Sequence, residues 1–215
     1  GLLWFNNANA GACNTTVTAA LTEQLSCSDS DTLTVTGSIS YNNQNAVLSQ
    51  LLNNVTITNS GTIQTTTDGG DGHSAIKAQS SLNLTVTNSG TILAAEDYGI
   101  KLIEAEKVTI TNEADGTIKA MPTSSGSQIA IGGTKMGNCG TCLNGSTTSS
   151  GEGLTLYNYG TIDSDSRTVY GGHASSHTSK KTKIYNYDGG MIDATSSSAV
   201  KFQYAEDFEL YNYSG

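Results

Sequence analysis

Positive charge is scarce in this chain. Ten lysine and arginine residues stand against nineteen aspartate and glutamate residues, which gives a formal net charge of −9 over 215 residues. A protein that binds nucleic acid through its phosphates needs a basic surface, and anionic membranes repel an acidic one. Nucleic acid is therefore excluded as an expected partner, and so is direct binding to an anionic membrane surface.

Proline, charged residues and long apolar runs are rare as well. Pro122 is the only proline, and charged residues make up 13% of the chain. Its polarity comes instead from serine, threonine, asparagine and glycine, which suit exposed strands and tight turns better than helices. No apolar stretch approaches the roughly 18–20 residues of a membrane span. The composition predicts a sheet-dominated fold, since long ladders of backbone hydrogen bonds tolerate few prolines.

A short unit recurs six times along the chain. It reads VTITNSGTI at 55–63, LTVTNSGTI at 84–92, VTITNEADGTI at 108–118, LTLYNYGTI at 154–162, TKIYNYDGGMI at 182–192 and FELYNYSG at 208–215. Apolar and polar residues alternate within each unit, which is the periodicity of a strand. A second apolar run lies between these units, for example AIKA at 75–78, GIKLI at 99–103 and AVKF at 199–202.

The period of this unit selects one fold class. The asparagines of successive units are 29, 24, 46, 28 and 26 positions apart. A leucine-rich repeat would need a regular leucine signature and usually a helix, and a propeller blade needs about forty residues. We therefore predict an all-β fold, a right-handed parallel β-helix (a solenoid) of about seven coils, each stacked about 4.8 Å above the last.

The repeated asparagine has a predicted role in this fold. Its amide would satisfy backbone groups at a corner and stack on the next asparagine of the column. The glycine two to four residues later would take a positive φ that closes the corner. The predicted structural ladder consists of Asn59, Asn88, Asn112, Asn158, Asn186 and Asn212.

The chain divides into an N-terminal segment, residues 1–32, and the β-helix repeats, residues 33–215. In the first segment Val17, Leu21 and Leu25 are spaced as on a helix, so we expect a cap that shields the first coil. The motif Ala-Asn-Ala at 8–10 resembles a signal-peptidase site, and a hydrophobic N-terminal strand is the alternative. The sequence leaves open whether residues 1–10 belong to the mature protein.

Two further segments depart from the repeat. The spacing of 46 marks a loop insertion at 132–153, and a loop of this length without structure of its own is often functional. At the C-terminus, FELYNYSG stops where most earlier units continue with Thr-Ile. Because an open sheet edge is an aggregation hazard, we expect the chain to be truncated mid-repeat. The alternative is a filament in which this edge pairs with the next copy.

The four cysteines form two closely spaced pairs, Cys13 with Cys27 and Cys139 with Cys142. In a secreted protein this spacing predicts two small disulfide loops. The second pair also has two other interpretations. It resembles a redox C-x-x-C motif, although the usual βαβ setting is missing, and together with the histidines at 173 and 177 it matches the ligand types of a zinc site.

A few aspartates and one histidine are candidates for catalysis or metal binding. Asp68, Asp71 and His73 lie in TTTDGGDGH and could act as the acid and base of a polysaccharide-cleaving β-helix, but the composition is that of a turn. A lyase would also need a basic residue near its enolate, and Arg167 is the only arginine. We predict no catalytic, cofactor-binding or metal-binding residue, and no enzyme. Two aspartate pairs supply too few ligands for calcium, Asp29 with Asp31 and Asp163 with Asp165.

Threonine gives way to tyrosine in the later units. In a β-helix these positions would align along one face, either as an aromatic stack that stiffens the rod or as an exposed strip that stacks on sugar rings or a partner. The predicted contact surface consists of Thr58, Thr87, Thr111, Tyr157, Tyr159, Tyr185, Tyr187, Tyr211 and Tyr213.

The units VTITNSGTI and LTVTNSGTI, the Ser/Thr/Asn/Gly bias and the scarcity of charge and proline resemble the passenger repeats of bacterial autotransporters (type V secretion). The resemblance covers about residues 33–215. It implies a right-handed β-helix that a C-terminal membrane barrel carries to the cell surface, and we expect contact with the membrane only through such a barrel, which this chain lacks. Many members are adhesins or mediate self-association, and others are proteases or esterases.

These observations favour a cell-surface adhesin or self-association passenger fragment that acts by surface contact. The expected location is the extracellular face of the bacterial outer membrane, with roles in cell aggregation, biofilm formation and virulence. The expected partner is the protein itself on neighbouring cells, or a host-surface protein or glycan. The alternative is a carbohydrate-binding or carbohydrate-cleaving β-helix enzyme.

Peptide mapping without reduction should recover two disulfides, Cys13–Cys27 and Cys139–Cys142. Reduction of the second should leave the melting temperature almost unchanged, because a four-residue ring constrains little of the unfolded chain. Mass spectrometry and a thermal melt check both statements. Free thiols, a cross pair between the two sets, or stoichiometric zinc retained through dialysis would contradict the prediction.

Overall fold

The computed structural model describes residues 11–66, 73–121, 128–138, 151–172 and 175–213. Within these ranges the chain forms twenty-five strands, a single short 3-10 helix and no α-helix. Most strands belong to three parallel sheets, which we name A, B and C in the order in which each coil of the chain visits them.

The strands of sheet A are β1 (Gly11–Ala12), β4 (Leu25–Ser26), β7 (Val47–Gln50), β10 (Ile76–Gln79), β13 (Tyr98–Ile103), β16 (Ile129–Thr134), β19 (Arg167–Gly171) and β23 (Val200–Phe202). Those of sheet B are β2 (Thr15–Val17), β5 (Thr32–Val35), β8 (Thr56–Asn59), β11 (Thr85–Asn88), β14 (Val108–Asn112), β17 (Leu154–Asn158), β21 (Lys183–Asn186) and β25 (Glu209–Asn212).

Those of sheet C are β3 (Ala20–Leu21), β6 (Ser38–Tyr41), β9 (Thr62–Thr65), β12 (Thr91–Ala94), β15 (Thr117–Ala120), β18 (Thr161–Ser164) and β22 (Met191–Ala194). A small fourth sheet pairs β20 (Ser179–Lys180) with β24 (Ala205–Glu206), and the 3-10 helix spans Ser175–His177.

The order of the strands defines a parallel β-solenoid. Along nearly the whole of each large sheet, hydrogen-bonded neighbours are three strands apart in the chain, as in β5, β8 and β11 of sheet B. The pairing is parallel throughout, so each coil contributes one strand to every sheet before the chain rises to the next coil. The prediction of a parallel β-solenoid is confirmed.

The core is a set of apolar columns that run along the axis. Every second residue of a strand points inward, and successive coils place these residues in register. Each fully buried apolar side chain stabilises the fold by about 1.5–3 kcal/mol relative to its exposed state. In sheet B the column consists of Leu33, Ile57, Val86, Ile110, Leu156 and Ile184, and in sheet C of Ile39, Ile63, Ile92, Ile118 and Ile162.

The six repeated asparagines occupy one column at the corner between sheets B and C. The amide nitrogen of Asn59 donates to Oδ1 of Asn88 over 2.8 Å, and Asn88 donates in the same way to Asn112 over 2.9 Å. The series continues through Asn158 and Asn186 to Asn212. Each internal asparagine of the series donates from its amide nitrogen to one neighbour and accepts at its amide oxygen from the other, so a single residue type links all the corners.

The corner glycines are required for a different reason from the one that the sequence suggested. Gly61, Gly90 and Gly160 do not have a positive φ. A Cβ on Gly61 would lie 1.9 Å from the carbonyl oxygen of Gly37, and one on Gly90 would lie 2.2 Å from that of Gly61. Glycine recurs here because adjacent coils approach too closely for any side chain. Among the described residues, only Gly189, in the later Asp-Gly-Gly variant, has a positive φ at this corner.

Positive φ occurs instead at the corner between sheets A and B, and mostly in residues other than glycine. Leu51, Ser80 and Glu104 have φ values of 58°, 50° and 51°, and Asn54 and Asn83 have 58° and 57°. Such a conformation costs about 1–3 kcal/mol for a side chain of this kind. It is held because the backbone N–H of Leu51, Ser80 and Glu104 each donates to a carbonyl of the next coil.

The N-terminal segment contains strands where the sequence predicted a helix. Val17, Leu21 and Leu25 lie on β2, β3 and β4, in three different sheets, and pair in register with Val35, Ile39 and Val47. The helical prediction for this segment is wrong, because a small coil with one inward residue on each of three sides also places apolar residues four positions apart.

A disulfide joins Cys13 to Cys27, as predicted. The two residues follow β1 and β4, which are neighbours in sheet A, so the bond fastens the first rung of this sheet to the second. Cys139 and Cys142 lie outside the described residues. The insertion also starts later than predicted, since residues 132–134 belong to β16 and pair with β13 and, in part, β19.

Replacing Asn88 with leucine, which has a similar size, should lower the free energy of unfolding by about 1–3 kcal/mol. The reason is that the change leaves the corner carbonyls and the neighbouring amides without partners. Chemical denaturation monitored by circular dichroism measures the loss. Asn43→Leu is the matched control, because Asn43 is exposed and an exposed substitution changes stability by about 0.5 kcal/mol or less. Equal losses in the two variants would remove the ladder from the account of stability.

Candidate contact surface on sheet B

The outer face of sheet B carries a regular grid of threonines. In β5, β8, β11 and β14 two threonines point outward, two positions apart, and they pair in register between these strands; β2 and β17 add one threonine each. Neighbours are thus about 4.8 Å apart along the axis and about 6.6 Å apart along a strand. One column consists of Thr32, Thr56, Thr85, Thr109 and Thr155, and the other of Thr16, Thr34, Thr58, Thr87 and Thr111.

Tyrosines continue this face in the later coils. Tyr157 pairs in register with Thr111, and Tyr185 and then Tyr211 follow in the same column. Their ring centroids are 5.2 Å and 4.9 Å apart. A second column lies beside the first, with Tyr159 and Tyr187 4.4 Å apart and Tyr187 and Tyr213 5.2 Å apart. The six predicted tyrosines therefore form two parallel stacks.

The stacking determines which part of each ring a partner can reach. Tyr185 lies between Tyr157 and Tyr211, and Tyr187 lies between Tyr159 and Tyr213, with the rings nearly parallel. Both faces of these two central rings are covered, so a sugar cannot stack on them. The strip presents ring edges and hydroxyl groups to its surroundings, and it shares the hydroxyl chemistry of the threonine grid.

Charge enters this face only at its last two coils. Lys183 and Glu209 continue the threonine column that ends at Thr155, and their side chains form an ion pair of 3.2 Å. The hydroxyl of Tyr211 donates a 2.7 Å hydrogen bond to Glu209. This bond, followed by the interaction with Lys183, lowers the pKa of the Glu209 carboxyl. The threonine part of the face is uncharged.

An open groove of about 920 Å³ runs along the edge of sheet B next to sheet A. Its charged lining consists of Lys107, Glu152, Lys181, Lys183, Asp207 and Glu209. Lys107 lies 3.9 Å from Glu152, and Lys183 pairs with Glu209, so two of its three carboxylates have lysine partners. The groove brings Glu152, Asp207 and Glu209 to one edge of the sheet, and a glycan-cleaving site would need such a group of carboxylates.

The other predicted candidates are not gathered into a site. Asp29 and Asp31 accept hydrogen bonds from the backbone N–H groups of Asn53 and Ser28, which is the ordinary role of aspartate in a turn. Asp163 forms an ion pair with Lys119 over 3.2 Å. Asp68, Asp71, Cys142, Cys139 and His173 lie outside the described residues.

No group of three or more His, Cys, Asp or Glu side chains is placed to hold a metal ion in the part of the chain that the structure describes. His73 lies at the start of the connection to β10, and its buried Nδ1 has no hydrogen-bond partner among the described residues. Across the described ranges no helix is long and apolar enough to cross a membrane. Comparison of the chain with protein-family models, curated proteins and solved structures gave no match.

Two sets of outward residues were missed in the sequence. The first threonine of each Thr-x-Thr pair forms its own column, and the Thr-Ile that ends most units forms another on sheet C, Thr62, Thr91, Thr117 and Thr161. The signal was present, since both positions recur in every quoted unit from 55 to 118. Only the register between coils shows that they form continuous columns on two different faces.

Replacing Tyr185 with alanine should lower the free energy of unfolding by about 1–3 kcal/mol, because the central ring of the stack contributes two ring pairs of about 0.5–1.5 kcal/mol each. Denaturant titration measures the change. Tyr204→Ala is the matched control, since Tyr204 is exposed and contacts no other ring within the described residues. A Tyr185→Ala variant as stable as this control would show that the stacks do not stiffen the rod.

Proposed function

We propose that this chain is part of a surface rod that acts by contact, the passenger region of an autotransporter-type adhesin at the bacterial cell surface. In this proposal the solenoid is right-handed and its activity is self-association between cells. The repeat units support the family assignment through their resemblance. The observation that carries the activity is the uncharged, two-column hydroxyl grid on sheet B.

The chemistry of this grid favours pairing with a second copy of itself. A hydroxyl group is both donor and acceptor, so a face of threonine and tyrosine hydroxyls can meet an identical face without a mismatch. A two-fold symmetric contact brings the same patch together from both partners and therefore requires such self-complementarity. A face with a single type of charge would repel its own copy.

The rigidity of the grid lowers the cost of such a contact. Threonine is β-branched and has few χ1 rotamers, and its strand position is fixed by the ladder on either side. Little side-chain entropy is then lost on binding. Single hydroxyl contacts are weak, but many contacts that form together raise the overall affinity by a factor of about 10²–10⁴ over one contact.

The carbohydrate-cleaving alternative has less support in the described residues. Its nearest site is the groove beside sheet B, where Glu152 and Glu209 have lysine partners. The acid of a catalytic pair must be a protonated carboxyl group, and the hydrogen bond and ion pair of Glu209 lower its pKa, which suits this carboxyl only to the ionised role. We propose no turnover for this chain. Glycan cleavage that disappears in Asp68→Asn or Asp71→Asn would restore the enzyme interpretation.

The test places charge on the grid. Beads coated with the purified chain should clump, and the triple variant Thr58→Lys, Thr87→Lys and Thr111→Lys should lose clumping. The new charges line the centre of the face and repel those of a second copy. Turbidity and microscopy measure the effect.

The matched control carries the same three changes on the adjacent sheet, at Thr62, Thr91 and Thr117. These threonines belong to the same three coils as the test positions and also point outward, so net charge and lysine stacking change equally in both variants. The control should clump like the unmodified chain. Unchanged clumping in the test variant, or equal loss in both, would remove sheet B from the proposal.

A further inference from the structure

Only some of the basic residues of this acidic chain form ion pairs with carboxylates in the described ranges. All ten basic residues lie in described ranges, and six of them form ion pairs there, Lys101, Lys107, Lys119, Lys135, Lys180 and Lys183. The other four have no ion pair with any described residue. Of these four, only Lys181 lies near sheet B; Lys77, Arg167 and Lys201 all belong to strands of sheet A.

These residues form one line on the outer face of sheet A. Lys77 pairs in register with Lys101, Lys101 with Gly132, Gly132 with Tyr170, and Tyr170 with Lys201. The lysines point outward, because their strand neighbours, such as Ile76 and Ala78 beside Lys77, are fully buried in the core. The line spans five coils, or about 19 Å at the usual strand spacing.

Arg167 lies beside this line. Its guanidinium carbon is 4.7 Å from the ring centroid of Tyr170, and the ammonium group of Lys101 is at the same distance from the ring of Tyr98. The Nε of Arg167 is buried and has no hydrogen-bond partner among the described residues. An arginine has five N–H donors and normally uses them, so this side chain retains capacity to bind an acceptor.

We call Lys77, Lys101, Arg167 and Lys201 the basic strip. Too few carboxylates lie beside this strip to neutralise its positive charge. Asp97 forms an ion pair of 2.6 Å with Lys101, and within the described residues this is the one ion pair of a cation in the strip. Burial lowers the pKa of Lys77, and the positive charge of Lys101 in the next coil lowers it further, against the opposing effect of Asp97. A bound anion would relieve this repulsion.

The middle of the strip is closely packed. Gly132 separates Lys101 from Tyr170, and a Cβ at this position would lie 2.3 Å from the carbonyl oxygen of Tyr170. No side chain can therefore occupy this level of the column, and both Gly132 and Tyr170 are buried. The cations on either side, Lys77 with Lys101 and Lys201 with Arg167, are the parts of the strip that a ligand can contact.

We propose that the outer face of sheet A binds an extended acidic polysaccharide along this strip of Lys77, Lys101, Arg167 and Lys201. The ligand must be narrow, because the cations form a single column on a chain whose net charge is −9. An anionic bilayer, or DNA with a charge every 1.7 Å or so along its axis, would bring more negative charge against the acidic remainder. A single glycan chain with widely spaced carboxylates or sulfates contacts the strip alone.

This proposal is independent of the contact function of sheet B, and either can fail alone. The test measures binding of a heparin oligosaccharide, which carries sulfates, and of an oligogalacturonate, which carries carboxylates only. We expect the unmodified chain to bind one or both, with affinity that falls as the sodium chloride concentration rises. The pair of probes distinguishes the two sources of negative charge.

The variant Lys77→Gln with Lys201→Gln should weaken this binding about tenfold, because each exposed charge contact contributes a factor of a few. Lys107→Gln with Lys181→Gln is the matched control. It removes the same charge from the edge of sheet B and should change the affinity by no more than about twofold, which is the scale of long-range charge effects under salt screening. Equal losses in the two variants would overturn the proposal.

A second measurement does not depend on substitutions. Bound glycan should protect Lys77 and Lys201 from an amine-acetylating reagent, as read by mass spectrometry, and should leave Lys107 and Lys181 reactive. Absence of binding to both probes at low salt would overturn the proposal. So would protection of all four lysines alike, or tighter binding to double-stranded DNA or to phosphatidylserine vesicles than to either glycan.

Discussion

The structure depends on one constraint, the in-register stacking of parallel coils. Each side chain on a strand lies about 4.8 Å from the side chain at the same position of the next coil. A residue can therefore recur at a position only if it tolerates its own copy as a neighbour. Asparagine does so because one amide donates to the next. Aliphatic side chains pack on their copies, and threonine and tyrosine hydroxyls both donate and accept.

A charged residue that recurs in successive coils does not satisfy this constraint, because identical charges at this distance repel each other. The chain has few charged residues, and in two places residues of opposite charge are neighbours in successive coils. Lys183 pairs in register with Glu209 and Lys119 with Asp163, and each pair forms an ion pair. Lys77 directly above Lys101 is an exception. The ion pair of Lys101 with Asp97 offsets only one of the two positive charges, and a local conflict of this kind is typical of functional positions.

Much of the fold could be predicted because the sequence shows two periods, one within each strand and one between successive coils. Alternation within VTITN indicates a strand, and the recurrence of Asn59 and Asn88 indicates that strands stack. The corner glycines were recognised, but their reason was not, because the approach of Gly61 to the carbonyl of Gly37 is a contact between coils and leaves no local signal. The N-terminal coil was missed because Val17, Leu21 and Leu25 fit a helix equally well.

The two candidate surfaces also differ in how far the sequence predicts them. The threonine and tyrosine columns could be predicted, since Thr58, Thr87 and Thr111 occupy the same place in units that are easily aligned. The basic strip could not, although a lysine follows the apolar residue in AIKA, GIKLI and AVKF. Arg167 and Tyr170 join that column only through the register across the insertion after β16, and this register is set by packing of the core and not by sequence spacing.

The solenoid separates these two surfaces physically. Sheets A and B share a core but expose different faces, so a glycan along the strip and a second rod against the threonine grid would not compete for the same side chains. Each further coil of the Thr-x-Thr type adds two hydroxyls to the grid, whereas the basic strip depends on particular residues in particular coils. In the proposed contact of sheet B, the strength would therefore grow with the number of coils, and tyrosine can replace threonine because it also supplies a hydroxyl group. In the proposed glycan site of sheet A, selectivity would instead depend on the positions of the lysines and Arg167.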